Sequence, residues 1–200
     1  MNELNINSLV DLHKRTLSVN NHPYGHCTTN SFLPEDVIKS ISSSFKFPDQ
    51  TDSTSDVLFQ KTKKALNDYN LFPSEIKKIV DYLNSKNFIS ILEDKFKINN
   101  LMADPSLFGG GMHESRNGGY LKIHSDFIYI RKKKLKRMLN LLIYLNDNWD
   151  EKWGGAIELW DQKMKNNFVK VFPSLACKSS FPISTLLNSI LKPNSVDNDN

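Results

Sequence analysis

His124 and Asp126, in His124-Ser125-Asp126, are the residues of this 200-residue chain best suited to chemistry. Imidazole and carboxylate both ligate divalent first-row metals. Set one residue apart, they make two of the three donors of a facial site that leaves positions open for other molecules. The preceding Tyr120, Leu121, Lys122 and Ile123 alternate in a way that predicts a β-strand. In a strand, residues i and i+2 leave the same face, so the spacing predicts that both side chains reach one ion. Alone, such a pair is more often a satisfied polar pair on a strand than a metal site, so context decides.

The elements that must position the pair come in two blocks. Residues 1–22 are a polar lead-in with a weak apolar patch at Leu9, Val10, Leu12 and Leu17, to which no role is assigned. Residues 24–33 (YGHCTTNSFL) suit a strand, and Pro34-Glu35-Asp36 opens a helix, with proline in the first turn and acids at its positive end. Residues 50–56 (QTDSTSD) read as a surface loop, a spacer or lid. Helical spacing is expected over 59–70 and again over 73–92, through Ile76, Ile79, Val80 and Leu83 and then Phe88, Ile89, Ile91 and Leu92. Ser74 is a candidate cap of the second helix, and residues 84–86 interrupt it. Glycine-punctuated strands follow at 107–113, 120–130, 138–146, 156–161, 168–173 and 176–181. Helices first and strands after predict an α+β domain whose second half is a sandwich or barrel, spanning 23–193, with 194–200 (NSVDNDN) a disordered tail.

Composition narrows the partners. A net charge of +4 is mild and partly local, so it does not by itself imply nucleic-acid binding. The basic run at 131–137 (RKKKLKR) has no interleaved aromatics and reads as a solvated loop between strands. Cys27 and Cys177 lack CxxC spacing and are expected to be free thiols. With no signal-peptide pattern and no apolar run of membrane length, a soluble cytoplasmic protein is expected. Gly109 to Gly111 match no phosphate-binding pattern, so backbone crowding or a bulge is expected there. Trp149, Trp153 and Trp160 are expected to pack around the Gly154-Gly155 turn. His13, His22 and His26 offer no ligand spacing.

The order FGGGMHESRNGGYLKIHSDF, LNLLIYLNDNW, WGGAIELWD resembles the 2-oxoglutarate and Fe(II)-dependent oxygenases, in particular the prolyl 4-hydroxylase-like branch. The likeness begins near Phe32-Leu33-Pro34-Glu35 and continues to about Phe181. It implies a double-stranded β-helix, or jelly roll, with the N-terminal helices packed on the major sheet. It also implies Fe(II), 2-oxoglutarate as cosubstrate and ascorbate as an auxiliary. His124 and Asp126 match the first two iron ligands. Tyr144 matches a tyrosine that contacts the cosubstrate carboxylate, and His113 and Tyr120 fall where the family lines the same pocket. The implied activity is hydroxylation of a protein, peptide or small molecule, coupled to decarboxylation of 2-oxoglutarate.

One part of the pattern has no counterpart. The family's third ligand is a histidine well beyond the HxD pair, followed by an Arg or Lys for the far carboxylate of 2-oxoglutarate. The matching stretch here is FPISTLLNSILKP, in which the ligand position falls near Asn188 or Ser189, the basic residue is Lys192, and Pro193 echoes the family's proline. The closing strands are therefore expected to be incomplete. Three explanations stand: a frameshifted or truncated product, an inactive jelly roll acting at most as a binding module, or a site completed by another residue such as His113.

Overall fold

The computed structural model describes residues 6–30, 32–48, 55–57, 60–126, 128–130, 133–146, 149–173 and 183–193. In order they form α1 (Ile6–Thr16), α2 (Glu35–Ser44), β1 (Ser55–Val57), β2 (Gln60–Leu66), α3 (Ser74–Leu83), α4 (Lys86–Phe96), β3 (Met102–Ala103), β4 (Gly111–Leu121), β5 (Tyr129–Ile130), β6 (Leu135–Tyr144), β7 (Ile157–Trp160), β8 (Asn167–Val171) and β9 (Ile183–Pro193). The main sheet runs β1-β2-β4-β9-β6-β5, with β3 also on β9, and its pairings are antiparallel. It curls into a half-barrel, and β7 and β8 form a separate ladder. The architecture is mixed helix and antiparallel sheet, as the α+β expectation requires. No helix among the described residues is long and apolar enough to cross a membrane.

The helical layer follows from its apolar spacing. Ile76, Ile79, Val80 and Leu83 are all buried in α3, and Phe88, Ile89, Ile91 and Leu92 in α4. The break falls at Asn84-Ser85, and the Ser85 hydroxyl caps α4 by accepting from the Phe88 amide at 3.3 Å. Ser74 does not cap α3. It is the first helical residue, after Pro73, and its hydroxyl donates to the Glu75 carboxylate. The lead-in contributes to this core through α1, whose Leu9 and His13 are buried along with Leu17 just beyond it. His13 Nε2 donates to the Phe32 carbonyl, leaving Nδ1 to accept from the Tyr82 hydroxyl at 2.7 Å, and the ring stacks on Phe32. It is a core histidine held in one tautomer, and burial lowers its pKa.

The sheet turns alternate residues into this core. Leu66 of β2, Met112 of β4, Ile143 of β6 and Ile190 of β9 are buried against the helices. The residues between them in sequence therefore face the other way, onto the inner side of the curl.

Several expected elements differ. The described residues of 24–33 form no strand: among them a single bridge joins Asn20 to His26, and adjacent Phe32 and Leu33 are both buried, which a half-buried strand does not permit. The helix expected over 59–70 is β2 followed by a 3-10 turn at Tyr69–Leu71, because pairing along β4 outweighs local propensity. Of the loop expected at 50–56, residues 50–54 lie outside the described residues, and Ser55 and Asp56 belong to β1. Residues 107–110 form a turn closed by Asp104, whose carboxylate accepts from the Phe108 amide at 2.9 Å and the Ser106 amide at 3.2 Å. The strand expected over 120–130 stops at Leu121 and resumes only at Tyr129–Ile130.

The strand expected at 176–181 and the tail at 194–200 lie outside the described residues. Residues 183–193, where the closing strands were expected to be incomplete, form an 11-residue strand in the middle of the sheet. The basic run is not wholly a solvated loop either. Residues 131–132 lie outside the described residues, Lys133 reaches Asp104 and Ser106, and Arg137 is buried in β6. Two of the three tryptophans pack as expected at the glycine turn, where Trp149 donates to the Gly154 carbonyl at 2.8 Å and meets Trp153 edge-on, while Trp160 on β7 donates to Glu158 at 3.0 Å.

Candidate functional site

His124 and Asp126 lie in the loop after β4 rather than on a strand, so the same-face rule for strands is not what joins them. The loop joins them all the same, with His124 Nε2 3.4 Å from Asp126 Oδ1. His124 Nδ1 is 2.7 Å from the Lys122 carbonyl. A carbonyl only accepts, so Nδ1 carries the proton in the neutral ring and Nε2 presents its lone pair toward the carboxylate. Two lone-pair donors at that spacing suit a shared cation, with metal–donor bonds of about 2.1 Å. The donor set thus fits two ligands of a non-haem iron site.

Asp126 is held from β6. Asn140 Nδ2 donates to its Oδ2 at 2.6 Å, and Arg137 approaches the same oxygen at 3.4 Å. Arg137 also donates to the Phe108 carbonyl at 2.9 Å, tying the site to the Asp104 turn. Burial lowers the guanidinium pKa, while Asp126 and Asp104 oppose that shift. With Oδ2 engaged, Oδ1 is left facing His124. Outer partners of this kind fix ligand orientation.

Register places the other candidates. His113 on β4 and Tyr144 on β6 are both opposite Thr185 of β9, so they occupy one row of the sheet. Ala65 continues the row on β2, and Lys63 lies two residues along. Burial pushes the Tyr144 hydroxyl up to about 12, so it stays protonated and can donate. Burial and then the Lys63 charge bring His113 down to about 4, so its ring is neutral near pH 7. Among the described residues its buried Nε2 has no hydrogen-bond partner.

Tyr120 is not drawn into this row. It lies seven residues along β4 from His113, roughly 20 Å in extended chain, opposite Lys61 and half exposed. Lys192 is opposite Lys136, seven residues along β9 from Thr185, again roughly 20 Å from the row. Asn188 and Ser189 are the backbone partners of Leu141 and Asn140. Among the described residues no cluster of three His, Cys, Asp or Glu gathers to hold a metal, so His113 does not join His124 and Asp126 as a third ligand in this arrangement.

Sequence reasoning missed Asn140, Arg137 and Lys63. The signal for Asn140 was its place in alternation with buried Ile143, which puts it on the same face as Tyr144. Arg137 was hidden in the basic run, and Lys63 in a segment read as helix.

Comparison with known proteins bears on the same region. Residues 110–188, from the turn before β4 into β9, match the family model described as the 2OG-Fe(II) oxygenase superfamily. No curated protein and no solved structure matches the chain significantly. The match supports membership of this dioxygenase superfamily, whose members work in general with iron and 2-oxoglutarate.

Proposed function

We propose that the chain is an Fe(II)- and 2-oxoglutarate-dependent dioxygenase, a hydroxylase similar to the prolyl 4-hydroxylases, built on a double-stranded β-helix and working in the cytoplasm. One observation carries the reading: within the matched segment, His124 Nε2 and Asp126 Oδ1 face each other at 3.4 Å with their other polar atoms engaged.

Bound together, Fe(II) and 2-oxoglutarate supply the oxidising chemistry, consuming O2, releasing succinate and CO2, and leaving one oxygen on the substrate as a hydroxyl. The chain's own work is placement. His124 offers Nε2 because the Lys122 carbonyl holds the proton on Nδ1. Asp126 offers Oδ1 because Asn140 and Arg137 hold Oδ2. Tyr144, protonated at neutral pH, donates to a cosubstrate carboxylate. His113 and Tyr120 remain in this reading as pocket-lining residues, Tyr120 by its place near the mouth of the loop. Ascorbate belongs to the reading as an auxiliary reductant, and the substrate class is a protein, peptide or small molecule.

A second reading follows from one specific finding. No third His, Cys, Asp or Glu joins the pair among the described residues, which favours a catalytically inactive jelly roll that binds without turning over.

Anaerobic titration with Mn(II) or Fe(II), followed by a succinate-release assay, separates the two. The dioxygenase reading expects one metal per chain, metal-dependent succinate formation, and loss of both in His124→Ala. Metal binding without succinate under any substrate selects the inactive reading. An unchanged metal affinity in His124→Ala refutes the site assignment itself.

A further inference from the structure

Asp104 is a fully buried carboxylate to which the proposed chemistry gives no task, and it lies ahead of the matched segment 110–188. It organises the turn between β3 and β4. Its Oδ2 accepts from the Phe108 amide at 2.9 Å, its Oδ1 from the Ser106 amide at 3.2 Å, and its backbone carbonyl from the Leu107 amide at 3.0 Å. The turn puts Leu107 at φ +47°, a left-handed conformation that a leucine keeps only where its surroundings over-determine it. What the turn delivers is the Phe108 carbonyl, since the Phe108 ring itself is half exposed. Arg137 of β6 donates to that carbonyl at 2.9 Å.

The same guanidinium reaches the candidate metal pair, with Nη1 3.4 Å from Asp126 Oδ2. Its side chain is only 5% exposed, against 42% for Asp126 and 1% for Asp104. A cation buried that deeply needs anionic compensation. Asp126 alone does not give it once a dication shares that carboxylate, because Arg137 then faces net positive charge at short range. Asp104 is the second source of negative charge: burial lowers the Arg137 pKa, and Asp126 and Asp104 both oppose that shift. From the solvent side Lys133, between β5 and β6, donates to the Ser106 hydroxyl and lies 3.4 Å from Asp104 Oδ1. Charges thus alternate from surface to site in the order Lys133, Asp104, Arg137, Asp126.

We infer that Asp104 is a positioning residue for Asp126 and acts through Arg137: it holds the guanidinium at the Phe108 carbonyl and balances its charge, so that Arg137 orients Asp126 without competing with a metal. The consequence for metal affinity rests on the dioxygenase reading. The hold of Asp104 on Arg137 has a separate signature in the metal-free chain.

The test is a double-mutant cycle of Asp104→Asn and Arg137→Met on the full chain, read by urea unfolding without metal and by calorimetric titration with Mn(II). Asp104→Asn keeps the shape of the side chain and removes its charge. It is expected to weaken Mn(II) binding about 5- to 30-fold, the range for an outer partner that acts on a ligand at one remove. In the Arg137→Met background the same substitution should change Mn(II) affinity by less than about 2-fold, since the uncompensated cation is gone. A part played only in the turn would give equal losses in both backgrounds. Without metal, the two substitutions should be non-additive by about 3- to 30-fold in the unfolding constant. Lys133→Met leaves the amide hydrogen bonds of the turn in place. It should bind Mn(II) about 2- to 3-fold tighter than Lys134→Met, because Asp104 then serves Arg137 alone.

If the parent binds Mn(II) and Asp104→Asn binds it equally well, or loses the same factor with and without Arg137, the positioning role is overturned and the dioxygenase reading stands. If the parent binds no Mn(II), the dioxygenase reading falls and the metal-free cycle decides whether Asp104 holds Arg137: additive substitutions overturn the link, and the expected coupling upholds it. If Asp104→Asn does not fold, the lysine variants decide, and equal Mn(II) affinity of Lys133→Met and Lys134→Met overturns the role.

Discussion

Acidification should destabilise the metal-free protein through His113, and the size of the effect follows from its surroundings. The ring lies on β4 with Lys63 on the adjoining β2, Tyr144 across β9 on β6, and Asp126 in the loop beyond β4. Burial and the Lys63 charge lower its pKa from 6.5 to about 4, against smaller upward pulls from Gly110 and Asp126. A histidine with a depressed folded pKa contributes no pH dependence above the unfolded value, where both states are neutral. Below it the unfolded chain binds a proton that the folded chain refuses, and stability falls until the folded pKa is passed. From 6.5 and about 4 the loss works out at about 2 kcal/mol by pH 5 and about 3 kcal/mol by pH 4. His13 shifts in the same direction, so the parent's pH profile alone does not isolate His113. The assay is urea unfolding of the parent and His113→Gln at intervals from pH 7.5 to about 4. Their stability difference should be flat above pH 6.5 and then move by the stated amount in favour of the variant. A change under about 0.5 kcal/mol at pH 5 would show that the ring is solvated and refute the burial reasoning.

Asn140→Ala should lower Mn(II) affinity about 10- to 100-fold, because Asp126 loses the donor that holds its Oδ2, while the melting temperature changes little at this exposed position. Gly111→Ala should cost at least about 2 to 3 kcal/mol in urea unfolding. Gly111 has φ +109°, and a Cβ there runs into the Leu66 carbonyl oxygen of β2. Ser85→Ala should cost about 1 kcal/mol by removing the cap of α4, and Ser85→Asp should restore most of it.

Legibility followed the strength of local periodicity. The pair α3 and α4, with its break at Asn84, could be read because each helix buries a full apolar stripe that nothing else in the sequence competes for. The ladder of β7 and β8 was equally plain from its short alternation. The segment of β2 was misread because its partner is β4, almost fifty residues on, and only that pairing turns lysines and alanine into a strand. The strand β4 itself was split in two on paper, since Glu114, Ser115, Arg116 and Asn117 look like a loop until β2 and β9 are seen on its flanks. His124 and Asp126 were found by type and spacing, but the means of their approach was not: a loop, a carbonyl and two donors from β6 set the geometry. Asn140 and Arg137 became part of the site only once β6 was laid beside that loop.

The place of β9 has a consequence for how the molecule comes into being. It is the last described strand in sequence, yet it lies between β4 and β6, which are left about 10 Å apart without it. A nascent chain that has emerged only as far as β8 carries two unsatisfied strand edges facing an empty slot, each a template for pairing with another molecule. Insertion of the late segment satisfies both edges in one event and brings His113 and Tyr144 into the same row. Because these pairings are distant in sequence, folding is expected to be slow and vulnerable to aggregation before that event. Kinetic competition at the ribosome exit, rather than equilibrium stability, should therefore set the yield of protein with an assembled inner face.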